Sequence, residues 1–339
     1  MKFELAKGNK KKEFYSHMAQ YMGFKEIQEM ATEAIKVRNM AALEALAYSN
    51  VYAVTAALSN ETIGDFFSQH LRDASTSNFI PRLFFMIRTH APISVKAILK
   101  RLTRISILKS SLNISGKGIR GNKRRYVSYF PGLPEFDIEQ IILNYIENGM
   151  QYLRYEDIVG ITRTQIKKTI VLMLDTSGSM YGDLLLNAAL TTAVLSYAMQ
   201  KDDFSIILFS SEAYTLKAIN EQKSVVDIIN SVLDIEAVGF TNISAGLVRG
   251  LRQLKKAKGI RKFGILITDG FYNRGSNPLN VARLFPKLHV IGMPQSQQSK
   301  SRQGQEFCRQ MAKLGKGLHI QVKNYHEIPR ALMNLISKT

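Results

Sequence analysis

The chain has 339 residues, a hydrophobic content of 45% and a formal net charge of +19, which is enough apolar material for one large or two ordinary globular domains. Its single cysteine, Cys308, excludes an intramolecular disulfide and a cysteine-based metal cluster, and it predicts a reducing, cytoplasmic setting. The strong positive charge favours an acidic partner, which could be nucleic acid, an anionic membrane surface or a negatively charged protein.

The first half of the chain is predicted to be helical. Apolar residues recur at spacings of three and four in IQEMATEAIKVRNMAALEALAY (27–48) and in PISVKAILKRLTRISILKS (92–110). The most apolar window, NMAALEALAYSNVYAVTAAL, contains Glu44 and is interrupted at Ser49 and Asn50, so we expect buried helix and no transmembrane segment. Residues 1–160 are therefore predicted to form a basic, all-α amino-terminal domain.

The stretch between Ala74 and Pro134 contains no aspartate or glutamate and twelve lysines and arginines. Its glycine-rich part, SGKGIRGNKRRY (115–126), is predicted to be a mobile loop, followed by the aromatic residues Tyr126, Tyr129 and Phe130. Such a mixture could hold phosphates and stack on bases, could contact an acidic protein surface, or could simply be solvated. The candidate residues for binding an acidic partner or nucleic acid are Lys117, Arg120, Lys123, Arg124 and Arg125.

From about Lys168 the pattern changes to short apolar runs that alternate with helical segments. Strands are predicted at 169–175, 204–210, 263–269, 288–293 and 318–322, with a further antiparallel edge strand at 212–218. Fully apolar strands of this kind are covered on both faces. Residues 165–339 are therefore predicted to form an α/β domain with a doubly wound, mostly parallel sheet.

Small oxygen-bearing residues follow the predicted strands. They are Asp175, Ser177 and Ser179 after the first strand, Thr241 in GFTNISAGL, and Asp269 in LITDG. In a doubly wound sheet the carboxyl ends of the strands converge on the ligand site. Hydroxyls and carboxylates without histidine or cysteine suit Mg²⁺, Mn²⁺ or Ca²⁺ rather than zinc or copper. Each residue alone could equally cap a helix or form a turn.

Together these five residues resemble the complete metal ion-dependent adhesion site of the von Willebrand factor A domain, D-x-S-x-S with a distant threonine and aspartate. The resemblance implies that Ser177, Ser179 and Thr241 coordinate the cation directly or through water. It also implies that Asp175 and Asp269 act largely through water and orient the hydroxyls. In that family an acidic side chain of a protein partner completes the coordination shell.

The preceding segment, FPGLPEFDIEQIILNYIENGMQYLRYEDIVG (130–160), resembles the entry to the A domain in proteins of the CoxE and ViaA kind, which work with MoxR-type AAA+ ATPases. This resemblance implies an adaptor in complex assembly or remodelling. The alternative is an RNA-binding protein of the Ro type, in which a helical ring joins the same A domain. The helical half is short for such a ring and shows no repeat.

Enzyme motifs are lacking in the sequence. There is no G-x-x-x-x-G-K-[ST] for binding nucleotide phosphates and no G-x-S-x-G around a serine nucleophile. Ser177 occupies the position where a haloacid dehalogenase phosphatase would need a second aspartate, and the six histidines show no metal-binding spacing. We therefore predict a protein that is not an enzyme.

Overall fold

The described part of the protein consists of a helical region, a small two-stranded element and a six-stranded sheet flanked by helices, which confirms the predicted fold class. The computed structural model describes residues 12–70, 79–115, 123–133, 135–150, 152–164, 168–177, 183–200, 202–235, 239–259, 261–294 and 298–338. Ser179, Lys117 and Arg120 lie outside these ranges.

Within the described residues up to 115, the first region consists of seven helices. They are α1 (Lys12–Ala19), α2 (Phe24–Lys36), α3 (Met40–Ser49), α4 (Val51–Leu58), α5 (Glu61–His70), α6 (Phe79–Ile87) and α7 (Ile93–Ser115). The most apolar window of the sequence forms two short helices, α3 and α4. They are separated at Asn50, whose side chain accepts a hydrogen bond of 3.1 Å from the Ala53 amide and thereby caps the start of α4. Within the described ranges, no helix has the length and apolar character needed to cross a membrane.

A small module follows the helical region. Strand β1 (Lys123–Ser128) pairs antiparallel with β2 (Val159–Thr164), and helix α8 (Ile138–Glu147) and a 3-10 turn (Tyr155–Asp157) lie between them in the chain. We call the described residues from 123 to 164 the hairpin module. The predicted loop is wrong for its last residues, because Lys123, Arg124 and Arg125 belong to β1. Their strand partners are about forty residues away, beyond the reach of local sequence patterns.

The six-stranded sheet contains all the predicted strands. In the order β5-β4-β3-β6-β7-β8, every neighbouring pair is parallel except β4 and β5. The strands are β3 (Lys168–Asp175), β4 (Asp203–Phe209), β5 (Ala213–Lys217), β6 (Arg261–Thr268), β7 (Leu288–Gly292) and β8 (Lys316–Gln321). The flanking helices are α9 (Asp183–Ala198), α10 (Val225–Leu233), α11 (Ile243–Lys256), α12 (Pro278–Ala282), α13 (Gln298–Leu314) and α14 (Ile328–Lys338).

The helical region and one face of the sheet share a continuous hydrophobic core. Alternate residues of β3 divide between the two faces: Ile170 and Leu172 join this shared core, whereas Val171 and Met173 join a second core under α11 and α13. Helix α9 is largely buried, because α6 and α7 of the helical region contact it as well as α10 and α14. The helix that follows the predicted metal-binding loop therefore also contacts the helical region.

Candidate metal centre

Two neighbouring parallel strands place the first acidic residues of the site side by side. Asp175 is the last residue of β3 and Asp269 directly follows β6, which pairs with β3 in register. The Thr268 hydroxyl donates a hydrogen bond of 2.8 Å to Oδ2 of Asp175. The Ser177 amide donates one of 3.1 Å to Oδ1 of the same carboxylate. Both oxygens of Asp175 are thus held in a fixed orientation at the carboxyl edge of the sheet.

The electrostatic environment of Asp175 is unusual for a carboxylate. Its side chain is only 3% exposed, and Asp269 is buried next to it. Burial, together with the negative charge of Asp269, raises the pKa of Asp175 to about 7, although the hydrogen bonds from Ser177 and Thr268 partly oppose this shift. A divalent cation would favour the ionised form of both carboxylates, so the local electrostatics fit a metal ion.

Thr241 is tied to the loop that follows Asp269. Its amide donates a hydrogen bond of 2.8 Å to Oδ1 of Asn273. In return, the amides of Asn273 and Arg274 each donate one of 3.2 Å to the Thr241 carbonyl oxygen. The Phe271 amide donates to Oδ1 of Asp269 at 2.9 Å. These hydrogen bonds connect the loop that contains Thr241 to the loop that follows Asp269.

The donor set consists of carboxylates and hydroxyls. Within the described ranges, no three side chains of histidine, cysteine, aspartate or glutamate come together as a metal site. A cation bound here would therefore need the hydroxyl oxygens of Ser177 and Thr241 as well as Asp175 and Asp269, with water in the remaining positions. Such hard oxygen ligands fit Mg²⁺, Mn²⁺ or Ca²⁺.

Two residues that position the site, Thr268 and Asn273, were not identified from the sequence. Thr268 directly precedes the predicted Asp269, so the only available signal was a hydroxyl at the end of an apolar strand. Asn273 gave no signal, because its role depends on a contact with a residue 32 positions away.

Cys308 lies behind the site, with its Sγ 3.8 Å from the Thr268 carbonyl oxygen. Burial raises the pKa of the Cys308 thiol, and Asp269 and Asp175 add to the effect, which keeps it neutral.

The basic candidate residues belong to a different part of the chain. Lys123, Arg124 and Arg125 lie on β1 of the hairpin module, which is paired with β2 and not with the six-stranded sheet. The structure therefore assigns them to a separate sheet from that of Asp175 and Asp269.

The fold of the carboxy-terminal half belongs to a known class of domain. Residues 169–325 match the family model of the von Willebrand factor type A domain, and this part of the chain is a domain of that type. Inter-alpha-trypsin inhibitor heavy chain H3 of Bos taurus is 30% identical over 129 residues. The same protein of Mesocricetus auratus is 31% identical over 123 residues. Each alignment covers 33% of this chain and 14% of the relative, so the chain matches only a small part of these relatives.

Solved structures to which this chain is similar include an aerotolerance-related membrane protein from Bacteroides fragilis, with 22% identity and a TM-score of 0.42 over 51% of this chain and 100% of that chain. Another is proximal thread matrix protein 1 from the mussel byssus, whose metal ion-dependent adhesion site is occupied by zinc. It has 20% identity and a TM-score of 0.42 over 51% of this chain and 47% of that chain.

Proposed function

We propose that this chain is a non-enzymatic interaction protein whose A domain binds an acidic group of a protein partner through a divalent cation. The residues that would hold the cation are Asp175, Ser177, Ser179, Thr241 and Asp269. The observation that carries the proposal is the buried Asp175 carboxylate, which is fixed at both oxygens and lies beside Asp269. A bound cation would supply an electrophilic site for an anionic ligand.

The mixture of donors suits this role. Neutral hydroxyl oxygens, such as those of Ser177 and Thr241, withdraw less of a cation's charge than carboxylates do. A site built with them therefore retains attraction for a carboxylate from outside. Phe240, next to Thr241, is a large exposed apolar side chain, and its amide donates a hydrogen bond of 2.8 Å to the Ser211 hydroxyl. It offers an apolar contact for the partner beside the metal-bound acid.

A MoxR-type AAA+ ATPase is the partner that we propose, with the cytoplasm as the compartment. The support is the resemblance of residues 130–160 to the entry of A domains that work with such ATPases. The chain has no phosphate-binding G-x-x-x-x-G-K-[ST] of its own. Any nucleotide-driven step would therefore depend on the partner.

The second candidate is binding of RNA. It is favoured by an aromatic cluster in the hairpin module, whose β1 strand carries Lys123, Arg124 and Arg125. The ring of Tyr129 lies 5.3 Å from that of Tyr155 and 6.5 Å from that of Phe136, measured between centroids. Aromatic rings can stack on bases, and lysines and arginines of the same module can attract phosphates.

The test is affinity purification of the tagged full chain from its native cells, in Mg²⁺ and in EDTA, with identification of bound proteins and RNA. Asp175→Ala is compared with Lys338→Ala, an exposed carboxy-terminal position far along the chain from the site. We expect a protein partner that is lost in EDTA and in Asp175→Ala but retained in the control variant. A partner retained under all conditions would refute the metal-dependent mechanism, and RNA retained without any ATPase would favour the second candidate.

A further inference from the structure

Helix α8 exposes an apolar stripe. Ile138, Ile142 and Ile146 are 68%, 51% and 51% exposed, and Leu143 beside them is 52% exposed. Residues four positions apart lie on the same face of a helix, so the three isoleucines form one continuous row. None of the residues of α8 is buried. Soluble proteins seldom expose contiguous apolar surface of this kind unless it binds something.

The less exposed face of α8, with Ile141, Asn144 and Tyr145, is the one that holds it to the hairpin module. The Asn144 side chain donates a hydrogen bond of 3.0 Å to the Asp157 carbonyl oxygen, and that of Asn148 donates one of 2.6 Å to the Asp157 carboxylate. The Asp137 side chain accepts a hydrogen bond of 3.2 Å from the Gln140 amide and so caps the first turn. The row of isoleucines therefore points away from the hairpin module, whereas the apolar residues of an ordinary amphipathic surface helix pack inward.

The charges around the stripe are acidic. Residues 135–153 contain Glu135, Asp137, Glu139 and Glu147 but no lysine or arginine, in a chain whose net charge is +19. Glu139 and Glu147 are both exposed, one in the first turn of α8 and the other at its last position. This apolar row with carboxylates near both ends is complementary to a row of apolar side chains bordered by positive charges.

We propose that α8 is the docking site for a basic amphipathic helix of another protein, whose apolar face would cover Ile138, Ile142 and Ile146. Its lysines or arginines would pair with Glu139 and Glu147. A second copy of this chain is a less suitable partner. Its own Glu139 and Glu147 would repel these carboxylates, and the two strongly positive chains would repel each other. An anionic membrane surface would likewise repel the carboxylates. This surface belongs to the hairpin module and shares no residue with the candidate metal centre.

The test uses two synthetic helical peptides and the full chain. One peptide has leucines at spacings of three and four with lysines elsewhere, and the other has glutamate in place of every lysine. We expect calorimetric titration to detect binding of the lysine peptide only, in spite of the positive charge of the protein. Ile142→Lys should weaken that binding by about tenfold or more, as expected for a residue at the centre of an interface. Ile93→Lys, at an 89% exposed position on α7, should leave it unchanged.

A charge exchange separates recognition from unspecific adhesion. The double variant Glu139→Lys, Glu147→Lys should lose affinity for the lysine peptide and gain affinity for the glutamate peptide. All these substitutions are at exposed positions, and unchanged melting temperatures will show that the fold is kept. The proposal is overturned if the lysine peptide does not bind, or if it binds Ile142→Lys as well as the wild type. It is also overturned if Ile142→Lys abolishes a dimer seen by sedimentation, or abolishes binding to phosphatidylserine vesicles.

Discussion

The hydroxyl of Thr268 donates a hydrogen bond of 2.8 Å to the buried carboxylate of Asp175, and so links the carboxyl ends of β6 and β3. The bond is charge-assisted when Asp175 is ionised, and such bonds are stronger than those between neutral groups. Thr268 thus determines how the first acidic residue of the proposed metal site is oriented.

Thr268→Val should destabilise the protein by about 1–3 kcal/mol, because the variant keeps the shape of the side chain but leaves one carboxylate oxygen of Asp175 without its donor. It should also weaken Mg²⁺ binding. Thr268→Ser retains the hydroxyl and is the control for metal affinity. Chemical denaturation and calorimetric titration with Mg²⁺ measure the two effects. Equal Mg²⁺ affinity in the Val and Ser variants would contradict the orienting role.

Mg²⁺ should raise the melting temperature of the wild type, because a ligand that binds only the folded state stabilises it. At a concentration of 100 times the dissociation constant the gain is about 2.7 kcal/mol. Asp269→Asn keeps an oxygen that can accept from the Phe271 amide but removes the charge, and it should lose most of this gain. Thermal unfolding in Mg²⁺ and in EDTA checks the prediction, and a full Mg²⁺ effect in the variant would exclude Asp269 from the site.

The contact between the helical region and the A domain should depend on Arg88. This buried guanidinium donates a hydrogen bond of 2.9 Å to the Leu233 carbonyl oxygen at the end of α10. Arg88→Gln should therefore cost about 1.5–3 kcal/mol. Lys100 forms an exposed ion pair with the neighbouring Asp234, and Lys100→Gln should cost about 0–1 kcal/mol. Equilibrium denaturation gives the free energy of unfolding of both variants. Similar losses would show that the buried hydrogen bond of Arg88 contributes no more than the exposed ion pair of Lys100.

Stability should fall as the pH drops from about 6.5 towards 4, in part because of His289. Burial, with a smaller contribution from the positive charge of Lys287, lowers the pKa of His289 to about 4. Its Nδ1 accepts a hydrogen bond of 3.1 Å from the Leu318 amide. Between the folded and unfolded pKa values, only the unfolded state takes up the proton. Stability is therefore lost on acidification, by an amount on the order of 2 kcal/mol.

His289→Gln offers a neutral side chain that can still accept from the Leu318 amide, and it should remove this part of the pH dependence. The free energy of unfolding of both proteins, measured at several values between pH 4 and 7, gives the comparison. Parallel curves for the two proteins would mean that His289 does not titrate between the two states in this range.

Helix α11 lies close to the sheet because two of its residues on the inner face are glycines. A Cβ at Gly246 would lie 2.6 Å from Cδ1 of the Phe209 ring, and one at Gly250 would lie 2.4 Å from Sδ of Met173. A methionine can change its conformation, whereas a buried ring cannot move without displacing β4. Gly246→Ala should therefore cost about 1–3 kcal/mol, and Gly250→Ala should cost less. Thermal unfolding ranks the two, and the reverse order would refute this explanation.

The amino-acid sequence by itself determined the strand pattern of the A domain and the residues at the strand ends. Runs such as TIVLMLD, bounded by small polar residues, are a local signal, and parallel strands align their carboxyl ends whatever the details of packing. For that reason the neighbouring positions of Asp175 and Asp269 could be predicted without a structure. The same holds for the broken apolar window at Asn50, where capping is a property of the residue itself.

Only the tertiary structure decided the features that depend on distant parts of the chain. Lys123, Arg124 and Arg125 form a strand because residues 162–164 pair with them. Periodicity shows that α8 is amphipathic, but not which face points outward. That face is decided by the bonds of Asn144 and Asn148 to Asp157. The physical reason is the same in both cases: the free energy of a contact between residues far apart in sequence is absent from any local pattern.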